Sequence, residues 1–333
     1  YVTYPTGHTD TLEVAARRAV LTGVNQTGAK LQVARADEMG VEFFETTAHG
    51  GARPSHAEWQ GRQFHRGGAV DYMGKHYPDF EAATGYGTGA GLCGWNCRHT
   101  FFAIFPELGP APAWTQADLE ALNARDIEYN GGKYTRYEIS QMQRARERTV
   151  RKYKRRYLAE DAAGADTTAS AVKLRQARQK LSDFISATGG RADSARTSVA
   201  GFGRSEAGKA SYTARKQERF DSANVELQRM REAGTIKAKG KLIESPPAPN
   251  EINFASEHVL QRWAERGMGP MDAERIIRSS KVAMSQRNGT QTCYYSEYGF
   301  VAIGQNGNVS SIGPLDEGGQ KLMEVVKKHG IPH

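Results

Sequence analysis

A proline-rich hexapeptide, SPPAPN at residues 245–250, is the feature that most constrains how this chain folds. Proline lacks a backbone N–H and pushes the preceding residue into an extended conformation, so neither a helix nor an inner strand continues through these positions. The hexapeptide therefore predicts a domain boundary. The 333 residues are enough for two or three domains, and we place them at residues 1–137, 138–245 and 250–333.

The segment after this break has the pattern of an antiparallel sheet. Four short strand-like runs, KVAMSQ, QTCYYSE, FVAIGQ and VSSIG, are separated by turn residues that include Asn306-Gly307, a two-residue hairpin signal. Helices are predicted at residues 254–266 and 271–279 before the strands and at 317–329 after them. The predicted fold class is α+β and multi-domain: a loop-rich first domain, a basic helical middle, and C-terminal helices packed on a four-stranded antiparallel sheet.

The positive charge of the chain is concentrated in its middle. The net charge is +8, and residues 141–156 hold eight basic side chains and one acidic, whereas residues 250–333 hold nine of each. Apolar residues recur at helical spacing through residues 142–157 and 174–185, which predicts an antiparallel helical hairpin. Such a basic band suits nucleic acid or an acidic protein surface, although a charged helix face is also commonly only solvated.

The first part of the chain gives weaker signals of secondary structure. Helices are predicted at residues 9–24 and at 115–124, the second with Thr115 as its N-cap. Between and beyond them, residues 40–137 are dense in glycine, proline, histidine and aromatic residues and show no long hydrophobic period. This composition predicts a compact domain that is rich in loops.

The stretch GYGTGAGLCGWNCRHTFF, residues 85–102, contains two of the three cysteines. A phosphate-binding loop needs glycines that lead into a helix N-terminus, usually followed by Lys and Ser or Thr, and no such lysine follows here. A redox pair normally has two residues between its cysteines, but three separate Cys93 from Cys97. Three cysteines in all also cannot form a disulfide framework, which fits a reducing cytosol.

A metal site and a metal-free core remain as interpretations of this stretch. Thiolate and imidazole are ligands that zinc prefers, in sets of four. Cys93, Cys97 and His99 supply three, and His56, or else His49, supplies the fourth from the stretch TTAHGGARPSH. The alternative is a glycine-rich core with buried thiols and a hydrogen-bonded histidine. A structural zinc ion and a metal-free Cys/His cluster both stay open.

Two long stretches of the first domain are AHGGARPSHAEWQGRQF and YPDFEAATGYGTGAGLCGWNCRHTFFAIFP. They resemble the tailed-phage minor capsid protein 2 family, a relative of the Mu F-like head-morphogenesis proteins. The helical segments LEVAARRAVLTGVNQ and YEISQMQRARERTVRKYKR resemble the flanking elements of the same family, so the resemblance covers about residues 1–205. Mu F-like relatives end this domain in an NCRC-type motif, where this chain has NCRH.

This resemblance implies a structural protein that is carried in few copies inside the phage head, near the portal. The implied partners are the portal or capsid protein and, through the basic helices, phage DNA. The implied location is the virion, after assembly in the bacterial cytoplasm and with ejection into it alongside the DNA. No run approaches 18 apolar residues, so we expect no membrane partner.

The C-terminal segment FASEHVLQRWAERGM places His258, Arg262 and Arg266 at i, i+4 and i+8, along one side of a helix. An imidazole can move protons near neutral pH and guanidinium groups can stabilise charge on phosphate oxygens, so this set suits phosphodiester chemistry. Hydroxyl donors from the sheet could join it, from Ser310 or Ser311 and from Tyr294 or Tyr295.

Helices followed by such a sheet resemble the barnase–EndoU–colicin–RelE group of RNases, versions of which occur on phage minor capsid proteins. The resemblance implies that His258 is the general acid and base for attack by an RNA 2′-hydroxyl, that Arg262 or Arg266 binds the phosphate, and that Ser311 orients it. Neither metal nor cofactor would be needed. The alternatives are a DNA-binding or portal-docking accessory without catalysis, which the zero net charge of residues 250–333 favours, and a bacterial toxin that borrowed the phage domain.

Overall fold

The computed structural model describes residues 1–109, 111–254 and 257–332. Within these residues the chain is a mixture of helices and small antiparallel sheets, which confirms the predicted α+β class. It divides into two compact units: unit 1, Tyr1–Glu147 with Leu181–Asp193, and unit 2, Arg148–Lys180 with Ser194–His333. The domain limits inferred above from the sequence stay predictions.

The first half of the chain consists of short elements apart from one long helix. In chain order they are β1 (Val2–Thr3), β2 (Thr9–Asp10), α1 (Leu12–Glu38), β3 (Phe43–Thr46), α2 (Pro54–Ala57), β4 (Gln63–His65), β5 (Val70–Tyr72), β6 (Lys75–Tyr77), α3 (Phe80–Thr84), β7 (Phe101–Ala103), α4 (Gln116–Asn123), β8 (Ile127–Tyr129) and β9 (Gly132–Tyr134). Strands β4, β3 and β7 form a three-stranded antiparallel sheet in that order.

Two helix predictions for this half have different outcomes. Helix α4 starts where it was expected, and Thr115 caps it: its hydroxyl accepts from the N–H of Asp118 while the Asp118 carboxylate accepts from the N–H of Thr115. Helix α1 starts later than the prediction of residues 9–24, because Thr9 and Asp10 pair with β1 instead, and it runs on to Glu38. Its Ala29 and Ala36 pack into the core of unit 1.

The second half has longer elements. They are α5 (Arg136–Ala162), α6 (Thr168–Thr188), α7 (Ser194–Thr197), α8 (Arg204–Glu232), β10 (Lys241–Glu244), α9 (Glu257–Glu265), α10 (Pro270–Ser279), β11 (Val282–Gln286), β12 (Gln291–Ser296), β13 (Gly299–Gly304), β14 (Val309–Gly313) and α11 (Glu317–Lys328). Helices α5 and α6 confirm the two helices predicted from the apolar stripes. Helices α10 and α11 lie within one residue of their predicted limits, and α9 ends one residue before its predicted end. Residues 255 and 256, in the predicted start of α9, lie outside the described residues.

The main sheet of unit 2 has five strands, in the order β10-β11-β12-β13-β14, and each neighbouring pair is antiparallel. The four predicted strands are all present. The fifth strand, β10, precedes the proline-rich hexapeptide and pairs with β11 through Leu242 opposite Met284. A strand of four residues that begins with a lysine has too short a pattern to be recognised, and its pairing partner is about forty residues away along the chain.

Both faces of this sheet are covered by helices. Alternate residues point to opposite faces, so Met284 and Tyr295 join one core cluster with α8 and α11 while Ala283 and Tyr294 join another with α9 and α10. Leu227 of α8 is fully buried in the first cluster. Unit 2 is therefore a helix–sheet–helix sandwich, whose layers come from both sides of the hexapeptide.

Candidate metal centre

The glycine-rich stretch folds by packing backbone against backbone. A Cβ atom on Gly91 would lie 1.9 Å from the carbonyl oxygen of Gly85, and one on Gly94 would lie 2.4 Å from that of Gly89. The N–H of Trp95 donates to the same Gly89 oxygen at 2.7 Å. Because no side chain fits at these crossings, the glycines are required by close approach of the chain to itself. This arrangement holds Cys93 and Cys97 in place.

Three of the four predicted metal ligands come together in unit 1. His56 lies in α2, and Cys97 and His99 lie near the end of the glycine-rich stretch, just before β7. The Cys97 Sγ is 3.7 Å from His56 Nδ1 and 3.6 Å from His99 Nδ1, and the two Nδ1 atoms are 3.4 Å apart. Both histidines are buried. These three ligand atoms can hold a metal ion.

The outer nitrogens of both histidines have fixed partners. His56 Nε2 donates to the carbonyl oxygen of Ala90 at 2.9 Å, and His99 Nε2 donates to Oε1 of Gln60 at 3.0 Å. That Gln60 oxygen also accepts from the backbone N–H of His49 at 3.1 Å, so it acts as an acceptor to both. Each neutral imidazole therefore has its proton on Nε2 and presents the Nδ1 lone pair to the centre. Metal-binding histidines are oriented by the same kind of outer partner.

The electrostatics of the centre follow from its burial. Burial, helped by the neighbouring His49 and His56, lowers the pKa of His99 to about 3, and burial also lowers the pKa of His56. Burial raises the pKa of the Cys97 thiol and raises that of Cys93 to about 12. The imidazoles and thiols of the metal-free centre are therefore neutral. A metal ion bound there would instead favour the deprotonated form of a coordinating thiol.

Three further residues border the centre: Cys93, His49 and Trp59. Cys93 lies outside the group of three, and its thiol donates to the backbone oxygen of His99 at 3.5 Å. The His49 ring stacks on the His99 ring with 4.2 Å between centroids. Trp59 covers both ligand histidines, with its ring 4.6 Å from His56 and 4.8 Å from His99. Nothing in the spacing of the sequence singles out Trp59, because it contacts the centre only through the fold.

The predicted C-terminal site is described only in part. His258 and Arg262 belong to α9, but their side chains lie outside the described part of the structure. The Arg266 guanidinium donates through Nη1 to the carbonyl oxygen of Ile312 at 2.7 Å. Ser311 precedes Ile312 in β14 and pairs with Ala302. The structure therefore brings Arg266 to the backbone next to Ser311.

A pair of cations in the basic helices was not singled out from the sequence. The Lys154 ammonium and the Arg178 guanidinium both lie over the ring of Phe202, at 5.3 and 5.6 Å from its centroid. Lys154 also donates to the carbonyl oxygen of Thr197 at 2.6 Å. Among the described residues no carboxylate pairs with either cation. Burial, and for Lys154 also the nearby Arg178, lowers the pKa of both groups.

The fold and the centre define a mixed α+β protein whose loop-rich unit is organised around a buried Cys/His cluster. The family model for phage minor capsid protein 2 matches residues 1–186, more than half of the chain, and the chain belongs to this family. No curated protein and no solved structure matches it. Membership gives the chain a structural role in a phage head, in the virion and among other head proteins. No described helix is long and apolar enough to cross a membrane.

Proposed function

We propose that this protein is a portal-proximal component of the phage head that contacts the portal or capsid protein inside the head. The observation that carries the proposal is the family match over residues 1–186. A row of exposed apolar side chains on α1 supports it, because such patches on a soluble protein mark interaction surfaces. They are Leu12, Val20, Leu21, Val24 and Leu31, each at least 59% exposed.

The test is incorporation of the chain into purified phage heads, measured by immunoblot. Val24→Asp places a charge in the apolar row, and Gln26→Asp places the same charge on an exposed neighbour in α1. Because both side chains are exposed, both variants should fold. We expect Val24→Asp to reduce incorporation and Gln26→Asp to leave it unchanged. Absence of the unmodified chain from purified heads would overturn the proposal.

We also propose that His56, Cys97 and His99 hold a structural zinc ion. Two unprotonated Nδ1 atoms 3.4 Å apart repel each other, and the one proton of the Cys97 thiol can bridge to only one of them. A zinc ion would satisfy all three electron-pair donors, and structural zinc contributes directly to folding. Metal analysis of the full chain should give one equivalent of zinc, lost in Cys97→Ser and kept in Cys293→Ser. Less than about half an equivalent in the unmodified chain would exclude the site.

A second candidate function is DNA contact by the basic helices, and the two cations over Phe202, which no described carboxylate pairs, favour it. Buried or half-buried cations without carboxylates provide a place for a phosphate group. Arg178→Gln should lower the salt dependence of duplex DNA binding by about one unit of slope. Arg175→Gln, one turn earlier on α6 and ion-paired with Glu218, should not. Equal slopes for the two variants would exclude this contact.

A further candidate is metal-independent RNA cleavage by the C-terminal module, delivered to the bacterial cytoplasm with the DNA. The observation that favours it is the position of Arg266 beside the strand that contains Ser311. The full chain, incubated with total RNA and tRNA in EDTA, should cleave the RNA. His258→Ala should abolish this cleavage, and Gln261→Ala on the same helix should leave it unchanged. Absence of cleavage by the folded, unmodified chain would leave a docking or DNA-binding module.

A further inference from the structure

The three ligands of the proposed zinc site leave its fourth position open. Structural zinc sites are closed by four protein ligands, whereas an open position takes water and is typical of catalytic sites. Both ligand histidines and Trp59 are buried, and the Trp59 ring packs against both histidine rings. A closed site therefore needs one more ligand from the residues that border it, and two residues with suitable atoms do so, His49 and Cys93.

One ring nitrogen of His49 has no hydrogen-bond partner among the residues that the structure describes. The His49 Nδ1 lies 3.2 Å from the carbonyl oxygen of Gly50, and because a carbonyl only accepts, the proton of the neutral ring is on Nδ1. The lone pair is then on Nε2, which is buried and has no partner among the described residues. A buried acceptor left without a partner is costly and needs an explanation, and coordination of a metal ion would provide one.

His49 is also anchored next to the ligands. Its ring stacks on the ring of His99 with an angle of 25° between the planes. Its backbone N–H donates to the Gln60 oxygen that also accepts from His99 Nε2, so one buried amide positions both residues. The Nε2 atom is not within the 4.8 Å that encloses the other ligand atoms, so a rotation of the His49 side chain must accompany metal binding.

Cys93 is engaged elsewhere. Its thiol donates to the backbone oxygen of His99, and its side chain belongs to the apolar core with Leu92 and Phe101. Its backbone has φ +59°, a left-handed conformation that the surrounding glycine crossings impose. Turning the thiol toward the metal would break this hydrogen bond and take the side chain out of the apolar core. Turning His49 breaks its Nδ1 contact with the Gly50 oxygen but gives the partnerless Nε2 a ligand role.

We infer that His49 is the fourth ligand, through Nε2, and that the site is formed by one cysteine and three histidines with Cys93 outside it. The inference rests on the zinc proposed above and decides its ligand set. It also gives a structural role to the segment after β3, because a ligand at residue 49 ties that segment to the glycine-rich stretch through the metal.

The experiment uses the full chain loaded with Co²⁺ in place of zinc, since thiolate ligands give a charge-transfer band in the near ultraviolet. We expect the band of a single thiolate, unchanged in Cys93→Ser and lost in Cys97→Ser. His49→Gln should shift the visible cobalt bands and weaken the affinity at least tenfold, because loss of even an outer partner of a ligand costs 10- to 100-fold. His49→Cys should add a second thiolate to the band, a gain that misfolding cannot imitate.

The outcomes separate this inference from the zinc proposal. No metal bound by the unmodified chain would overturn the zinc site itself. A second outcome is one bound equivalent of metal whose thiolate band falls by half in Cys93→Ser and does not change in His49→Gln or His49→Cys. This outcome would support the zinc site but overturn the assignment of His49 as its fourth ligand. A single-thiolate band that responds to His49 and ignores Cys93 would support the inference.

Discussion

Unit 1 and unit 2 bury their interiors in different ways. The core sheet of unit 1 has strands of three and four residues, and its glycine-rich stretch packs backbone on backbone beside a cluster of cysteine and histidine. Unit 2 has a five-stranded sheet between helices, with apolar side chains on both faces. Unit 1 combines an apolar core with backbone crossings at which no side chain fits, whereas unit 2 buries apolar side chains on both faces of one sheet.

The largest expected effect is that of Gly91→Ala in unit 1. The new Cβ would lie 1.9 Å from a backbone oxygen, so two chain segments must move apart and the core must open. We expect a loss of at least about 4 kcal/mol in the free energy of unfolding, measured by urea denaturation with tryptophan fluorescence. Gly28→Ala, in α1 with no atom within 4 Å of the new Cβ, should instead stabilise by up to about 1 kcal/mol.

The next effect tests whether α8 is part of the apolar sandwich of unit 2. Leu227→Ala leaves a cavity in the cluster on the first face of the sheet and should cost about 3 kcal/mol. Val225→Ala, on the same helix with 52% of the residue exposed, should change the free energy of unfolding by less than about 0.5 kcal/mol. Equal effects of the two substitutions would show that α8 is only loosely attached to the sheet.

A smaller effect concerns the cap of α4 in unit 1. Thr115→Ala removes the hydroxyl that accepts from the N–H of Asp118 and should cost about 1 kcal/mol. Thr115→Ser keeps the acceptor and should stay within a few tenths of a kcal/mol of the unmodified chain. Thermal denaturation followed by circular dichroism would compare them. A serine variant as unstable as the alanine variant would show that the methyl group, and not the cap, matters.

The smallest effect should come from the surface of unit 2. Glu218 pairs with Arg175 at 2.8 Å, but both side chains are more than 40% exposed. Exposed ion pairs contribute little, so Glu218→Gln should lower the free energy of unfolding by less than about 0.5 kcal/mol. Urea denaturation at two salt concentrations would measure it. A loss above 1 kcal/mol that persists in high salt would mean that unit 2 depends on charge more than its apolar layers indicate.

The sequence predicted unit 2 better than unit 1, for a physical reason. Helices α5, α6, α10 and α11 and strands β11 to β14 have a hydrophobic period that is long enough to recognise. The strand β10 escaped prediction because four residues are too few. Most of the helix predicted at residues 9–24 lies in α1, but Thr9 and Asp10 pair with β1 instead. The buried face of α1 is mostly alanine, so its pattern is weak.

For the candidate metal centre, the residue types in the sequence were enough to name the candidates but not to choose among them. His56, Cys97 and His99 were predicted together with Cys93, and only the fold separates Cys93 from the rest. The stacking of His49 on His99 and the shared acceptor at Gln60 depend on segments that meet from different parts of the chain. The spacing of residues along the chain does not show which distant segments come into contact.

What the sequence determined by itself is local: the α+β class, the capped helix at Thr115, the periodic helices and strands, and the family resemblance of its first part. What only the tertiary structure decided is which distant residues share a site: three ligand atoms facing one another, a histidine nitrogen left without a partner, and two cations over one phenylalanine. The reason is that periodicity and capping act over a few neighbouring residues, whereas the chemistry of a site depends on distances that the whole fold sets.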